Sequence, residues 1–244
     1  MKYAPTLCVT LFFFAGCIAL IYYSTENNRL AADVNQLEAE LGKLSIVDAD
    51  RVNIVEVAVP EVPPEVAPHV QGLWQFRCYL PPTYDFMTMS GSGRVTAEGL
   101  YQDGGYGSST GSPQPAAIHS LLTLSLQEKD NHLQMFCSFR GSSGTTSWNG
   151  MKSNRLSSLV VRKLVSSQHG TRSFSRDTIL PLLKIYDPST EENKEIANKT
   201  FVTYEGGQLV LCPKSREACF SQLRSGETPH DFDPGWVATR AVDE

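Results

Sequence analysis

The sequence predicts a mainly β protein, an antiparallel β-sandwich or barrel, preceded by a single N-terminal transmembrane helix that continues into a short coiled coil. Three observations carry this expectation. An uncharged run of 17 residues, Leu7 to Tyr23, stands near the start of the chain, and heptad-spaced apolar residues follow it. From Gln71 to Cys212 apolar side chains then recur with period two, and no helical period of comparable strength returns. Five segments result: a transmembrane anchor over 1–23, a coiled-coil stalk over 24–45, an acidic Val/Pro-rich linker over 46–70, a β-domain over 71–212 and a polar tail over 213–244.

The anchor comes first. Counted from Tyr3 it is about 21 residues, enough to cross about 30 Å of hydrocarbon at about 1.5 Å per residue. Tyr3 at one end and Tyr22 and Tyr23 at the other stand where an aromatic belt belongs. A cleaved signal peptide competes with this reading, but Tyr22-Tyr23-Ser24 lacks the small residues such a site requires. A lipoprotein signal at Phe14-Ala15-Gly16-Cys17 competes too, and would leave the greasy Ile18–Tyr23 at the mature N-terminus. The expectation is an uncleaved signal-anchor, single-pass in the cell membrane. A short stub carrying only Lys2 stays inside, which puts the C-terminal domain outside the cytoplasm, in the periplasm for a bacterial envelope protein.

In the stalk, Asn27, Leu30, Val34, Leu37, Leu41 and Leu44 are spaced 3, 4, 3, 4, 3, with leucine at each d position and a polar Asn at the first a position. That pattern favours a parallel dimer in register. Asp33 at g and Glu38 at the following e set like charges against each other in a homodimer, so a basic partner helix is the alternative to self-pairing. In the linker, five acids face Arg51 alone, and Pro60, Pro63, Pro64 and Pro68 preclude a regular helix. It reads as a semi-rigid spacer, with an edge strand of its valines as the competing reading.

The β-domain opens with Trp74, Phe76, Cys78 and Leu80 on one strand face, stopped by Pro81-Pro82. Leu122, Leu124 and Leu126 alternate with Leu121, Thr123 and Ser125; after a turn within 127–132, Leu133, Met135, Cys137 and Phe139 alternate again. As a hairpin these runs place Leu126 near Leu133 and Leu122 near Cys137. Further strands are expected over Ser158–Val165 and Ile179–Tyr186, then a hairpin of Phe201–Tyr204 and Leu209–Cys212 turning at Glu205-Gly206-Gly207. The Gly/Ser-rich stretches 90–93, 103–112 and 141–150 read as loops. In the tail, Phe232 and Trp236 are candidates to dock on the domain.

The stretch Trp74-Gln-Phe-Arg-Cys-Tyr-Leu-Pro-Pro82, followed by Gly93-Arg-Val-Thr-Ala-Glu-Gly99, resembles a strand-and-turn pattern of membrane-anchored proteins from planctomycete-type bacteria. It covers about 30 residues and carries no assigned activity; the resemblance implies a bacterial envelope protein.

Charge is segregated. The formal net charge is −5, yet residues 71–212 carry 13 basic and 11 acidic residues. Between Asp130 and Asp177 there is no acid, while Arg140, Lys152, Arg155, Arg162, Lys163, Arg172 and Arg176 all occur. They are candidates for a patch that meets an anionic partner: an anionic wall polymer, lipid head groups or an acidic protein face. Strand alternation would instead scatter them, and the acidic linker folding back onto them is a third reading. The overall acidity argues against nucleic acid as a partner.

Cys78, Cys137, Cys212 and Cys219 lie outside the anchor and are disulfide candidates, with Cys78 and Cys137 able to bridge two sheets if they face each other. The alternative is four buried thiols. Gly107-Ser-Ser-Thr-Gly111 matches the nucleophile-elbow pattern, but it lacks the hydrophobic strand before it and the helix after it, and it reads as a loop. His69, His119, His132, His169 and His230 fall in no metal or triad spacing, so no catalytic, cofactor-binding or metal residue is assigned and no cofactor is expected. Trp148, in a Ser/Gly stretch, is the surface aromatic candidate, and Trp74 is expected in the core. The functional expectation is a membrane-anchored, extracytoplasmic binding or scaffolding module, more in keeping with the motifs than an enzyme. The alternatives are an exported hydrolase with scattered acids, or a module binding carbohydrate or anionic lipid.

Overall fold

A computed structural model of the chain describes residues 16, 20, 22–27, 29–30, 44, 46, 48–57, 59, 70–129, 132–152, 158–196 and 199–239. The chain divides into two units, Met1–Lys43 and Leu44–Glu244. In the first, Gly16, Leu20, Tyr22–Asn27, Arg29 and Leu30 are helical. The rest of the expected anchor, and Val34, Leu37 and Leu41 of the expected seam, lie outside the described residues. Among the described residues no helix is long and apolar enough to cross a membrane. Leu44, set last in the seam by its spacing, is not helical: it sits in a bend, is 2% exposed, and belongs to the second unit.

The second unit is a sandwich of two antiparallel sheets. Sheet one has the order β10-β1-β2-β6-β7-β8, built from β1 (Val52–Val57), β2 (Gly72–Leu80), β6 (Ile118–Lys129), β7 (His132–Phe139), β8 (Ser142–Lys152) and β10 (Arg172–Phe174). Sheet two has the order β4-β3-β12-β11-β9, with β5 also paired to β3. Its members are β3 (Phe86–Thr96), β4 (Gln102–Asp103), β5 (Tyr106–Gly111), β9 (Val160–Lys163), β11 (Leu180–Ile196) and β12 (Lys199–Pro213).

The core forms because period two places every second side chain between the sheets. Phe76, Cys78 and Leu80 of β2, Leu122 and Leu124 of β6 and Leu133 of β7 are fully buried there against Leu183 and Ile185 of β11 and Leu209 and Leu211 of β12. Each such side chain contributes about 1.5–3 kcal/mol of apolar burial. Sheet two is covered on its outer face as well. A helix, α1 (Glu217–Arg224), lays Phe220 on Met87, Met89, Val210 and Cys212. The strand-like segment after it hydrogen-bonds to Ile179, whose N donates to Trp236 O at 2.7 Å while Ala238 N donates to Ile179 O at 2.9 Å. The expected polar tail therefore completes the domain, and Phe232 and Trp236 pack edge to face, 6.1 Å apart.

Four expectations are corrected. The stretch expected as a spacer supplies β1, because Val52 and Ile54 alternate into the core, both 0% exposed; the prolines that follow lie outside the described residues. The β6–β7 hairpin pairs Leu126 with Met135 and Leu124 with Cys137, two residues from the expected register. The strands run on to Lys129 and resume at His132, so both faces keep their identity. Glu205-Gly206-Gly207 is not a turn; β12 passes straight through it, opposite Asp187, Tyr186 and Ile185 of β11. Its glycines are there for close approach: a Cβ on Gly207 would stand 2.6 Å from the Trp148 ring and 2.7 Å from Gly91 O. Finally, the Gly/Ser-rich stretches expected as loops are strand: 90–93 lies in β3, 106–111 is β5 and 142–150 lies in β8.

Candidate functional site

The two long sides of the sandwich differ. On the side of β9 and β10 the sheets are joined. The chain itself crosses there, and Arg172 Nη1 of β10 donates to Leu164 O, just past β9, at 2.7 Å. Lys163 Nζ meets both oxygens of Glu56, at 2.7 and 2.8 Å, from β9 to β1. On the other side the terminal strands β5 and β8 leave a groove of about 420 Å³.

The lining of this groove is uniform in chemistry. Small polar residues of β5 and β8, among them Ser108, Ser109, Thr110, Ser143 and Thr145, form the walls. Phe86, Cys137, Phe139 and Leu209 form the floor, and these are core residues that the missing edge contacts leave at the base of a cleft. Among the described residues β5 pairs only with β3, and β8 only with β7, so each presents an outward row of backbone groups to the groove. The far end is drawn together by Ser92, whose Oγ donates to Ser147 O at 3.4 Å and whose N donates to Gly105 O at 3.1 Å.

Arg140 is the sole charged side chain in the lining. It shares a two-residue turn with Gly141 between β7 and β8, since Phe139 pairs directly with Ser142. Both turn residues have positive φ, 54° and 75°, as a type I′ hairpin turn demands. The guanidinium lies 5.4 Å over the Phe86 ring and reaches across to β5, where a Cβ on Gly111 would stand 2.5 Å from Nη1 and 2.6 Å from Phe86 Cζ. Among the described residues it has no hydrogen-bond or carboxylate partner; its backbone N donates to Ser120 Oγ at 3.2 Å. Burial draws its pKa down from the ordinary value, though an arginine remains charged throughout the physiological range.

The other basic candidates are dispersed. Arg162 pairs with Glu98 and lies over the Tyr186 ring. Lys163 is held by Glu56 and Arg172 by Leu164 O and by Thr239 O at 3.1 Å. Arg176 donates to Pro82 O at 3.0 Å and Thr83 Oγ1 at 3.2 Å. Lys152 ends β8, in register with His132, and Arg155 lies outside the described residues. Among the described side chains, strand alternation and local acceptors have thus scattered the cations that the sequence brings together, and Arg140 is the one of them that lines the groove.

Cys78, Cys137, Cys212 and Cys219 are free thiols. Cys78 and Cys137 both belong to sheet one, in register with Ser120 and Leu124 of β6, so the pair does not bridge two sheets. Burial pushes Cys78 and Cys212 up to about 12 and Cys137 up to about 11. A thiol so shifted is protonated at neutral pH and is neither a nucleophile nor a soft-metal ligand. Among the described residues no group of three or more His, Cys, Asp or Glu is placed to hold a metal ion. The groove lining includes no carboxylate or imidazole, so Ser109 of the Gly107–Gly111 pattern has no base beside it there; that pattern is an exposed edge strand, not a loop. Trp148, expected at the surface, is 1% exposed in the core, while Trp74 is partly buried against it.

A second cavity, also about 420 Å³, lies between the outer face of sheet two and the C-terminal segment, with Tyr101, Phe201, Leu223 and Phe232 in its walls. Comparison with family models, with curated proteins and with solved structures found no match.

Proposed function

We propose that the chain is a non-catalytic binding module, displayed from a membrane by its N-terminal segment, whose site is the groove between β5 and β8. The observation that carries this reading is the pairing of two unprotected strand edges around one arginine that has no hydrogen-bond or carboxylate partner among the described residues. Natural sheets blunt free edges with charge, proline or cover. Tyr106–Gly111 and Ser142–Ser147 have no charge and no proline, and a lining of hydroxyls over an apolar floor suits a ligand that lies along the cleft and exchanges hydrogen bonds with it. The apolar run Leu7–Tyr23, the heptad spacing of Asn27, Leu30, Val34, Leu37 and Leu41 and the strand that resembles planctomycete-type envelope proteins support display outside the cytoplasm.

Two measurements test this. Full-length protein screened by thermal shift against sets of peptides and oligosaccharides is expected to give a rise in Tm that Arg140→Gln removes; no ligand whose shift depends on Arg140 would contradict the site. Alkaline carbonate washing of native membranes is expected to leave the protein in the pellet and to release a variant lacking residues 1–23. Release of the intact chain would contradict membrane display.

A further inference from the structure

We infer that the ligand of this groove is the C-terminal end of an extended polypeptide, paired through its main chain with β8 and held at its terminal carboxylate by Arg140. The inference rests on the groove being the binding site and adds what enters it.

The strand directions set the geometry. β5 runs from Tyr106 toward Gly111, at Arg140, while β8 starts beside Arg140 and runs away from it. A chain laid along the groove with its C-terminus at Arg140 is antiparallel to β8, whose outer edge from Ser142 to Thr146 pairs with no other strand among the described residues. Antiparallel pairing is the slightly more stable arrangement, and strand addition of this kind is a recurring mode of peptide recognition. Period two then turns alternate side chains of the ligand toward the floor of Phe86, Cys137, Phe139 and Leu209 and the others toward solvent.

Charge decides the end. The guanidinium spans the groove from the β7–β8 turn to Gly111, so a chain lying in the cleft meets it where it must stop. No acid in the lining competes for it, and a carboxylate is the group its planar fork fits with two parallel hydrogen bonds. Arg140 also stands in a left-handed backbone conformation, φ 54°, where hairpin turns use Asn, Asp or Gly. Strain kept at one position beside a cleft is a mark of a binding role. A glycan is the poorer fit, because sugar rings stack on exposed aromatic faces. Phe86 and Phe139 are 2% and 8% exposed, and Tyr106 at the head of β5 already has Arg224 4.3 Å over its ring.

The test uses full-length protein and two pools of fluorescein-labelled octapeptides that alternate Val or Ile with Ser or Thr. The pools are identical except that one ends in a free acid and the other in an amide. Fluorescence anisotropy is expected to show the acid pool binding roughly tenfold or more tightly than the amide pool. Arg140→Gln is expected to erase that difference, and Arg140→Lys to restore part of it. Equal binding of the two pools overturns carboxylate capture and leaves the groove as the site. Binding of a β-linked hexasaccharide but of neither pool, lost in Arg140→Gln, overturns the peptide ligand and again leaves the site standing. Binding of the acid pool that is indifferent to Arg140→Gln overturns both the role of Arg140 and the site. The acid–amide comparison is made on unaltered protein, so misfolding of a variant cannot imitate the result.

Discussion

Arg140 occupies a conformation that costs an L-residue roughly 1–2 kcal/mol relative to the right-handed region. Asn tolerates the left-handed region far better, and it is the residue such turns favour. Arg140→Asn is therefore expected to raise stability by up to about 1 kcal/mol, read as a higher urea midpoint with an unchanged slope, while groove binding falls. A fall in stability would make Arg140 a structural residue. Trp148 is the opposite case. It is fully buried against the backbone of Gly207, and Trp148→Ala is expected to cost about 3–5 kcal/mol in urea unfolding; a loss below about 1 kcal/mol would contradict its place in the core. Its setting in sequence, Ser147 before it and Asn149-Gly150 after it, points to a loop, and the glycine it packs against, Gly207 of β12, is far along the chain. Nothing local could have revealed that. Arg140-Gly141 was open to reading: an X-Gly pair between Phe139 and the Ser/Thr run is the form of a two-residue hairpin turn.

At the scale of elements, the strands with a dry face were legible. β2, β6 and β7 show period two because one face of each meets the core. β5 and the first half of β8 were not, since they are edge strands with exposed faces and need no apolar alternation. Their strand character comes from pairing with β3 and β7, a tertiary effect that outweighs local propensity. The candidate site was hidden for the same reason, as its walls are the segments that composition assigns to loops. β12 fails in another way: covered by sheet one on one side and by α1 on the other, its buried half loses the alternation that marks a half-exposed strand. An acid introduced on β5 should compete for Arg140. Ser109→Glu, at an exposed position, is expected to keep stability within about 0.5 kcal/mol and to weaken binding of the acid-ended pool. Unchanged affinity in anisotropy would place the carboxylate elsewhere.

For the molecule as a whole, burial of thiols sets the alkaline limit. Cys78, Cys137 and Cys212 stay protonated in the folded state well above their ordinary value of 9.0. The unfolded chain releases these protons first, so stability is level below about pH 9 and declines as pH rises from there toward 11 and 12. Replacing the three with alanine should lower stability at pH 7 through lost packing and flatten its slope between pH 9 and 11. An equal slope in urea titrations at several pH values would contradict the burial. The same scale shows the division of charge: residues 24–70, which include β1, carry most of the acidic excess, while Arg162, Lys163, Arg172 and Arg176 are held by local acceptors and Arg140 is the one charged side chain of the groove lining. Hydrogen exchange of the full-length protein, followed by mass spectrometry with and without the acid-ended peptide pool, tests the central claim most directly. Amides of β5 and of β8 from Ser142 to Thr146 should exchange quickly in the free protein compared with β6 and β7, and β8 should slow markedly when the peptide is bound. Peptide binding that leaves β8 exchange unchanged, or that protects the second cavity instead, would contradict strand addition in the groove.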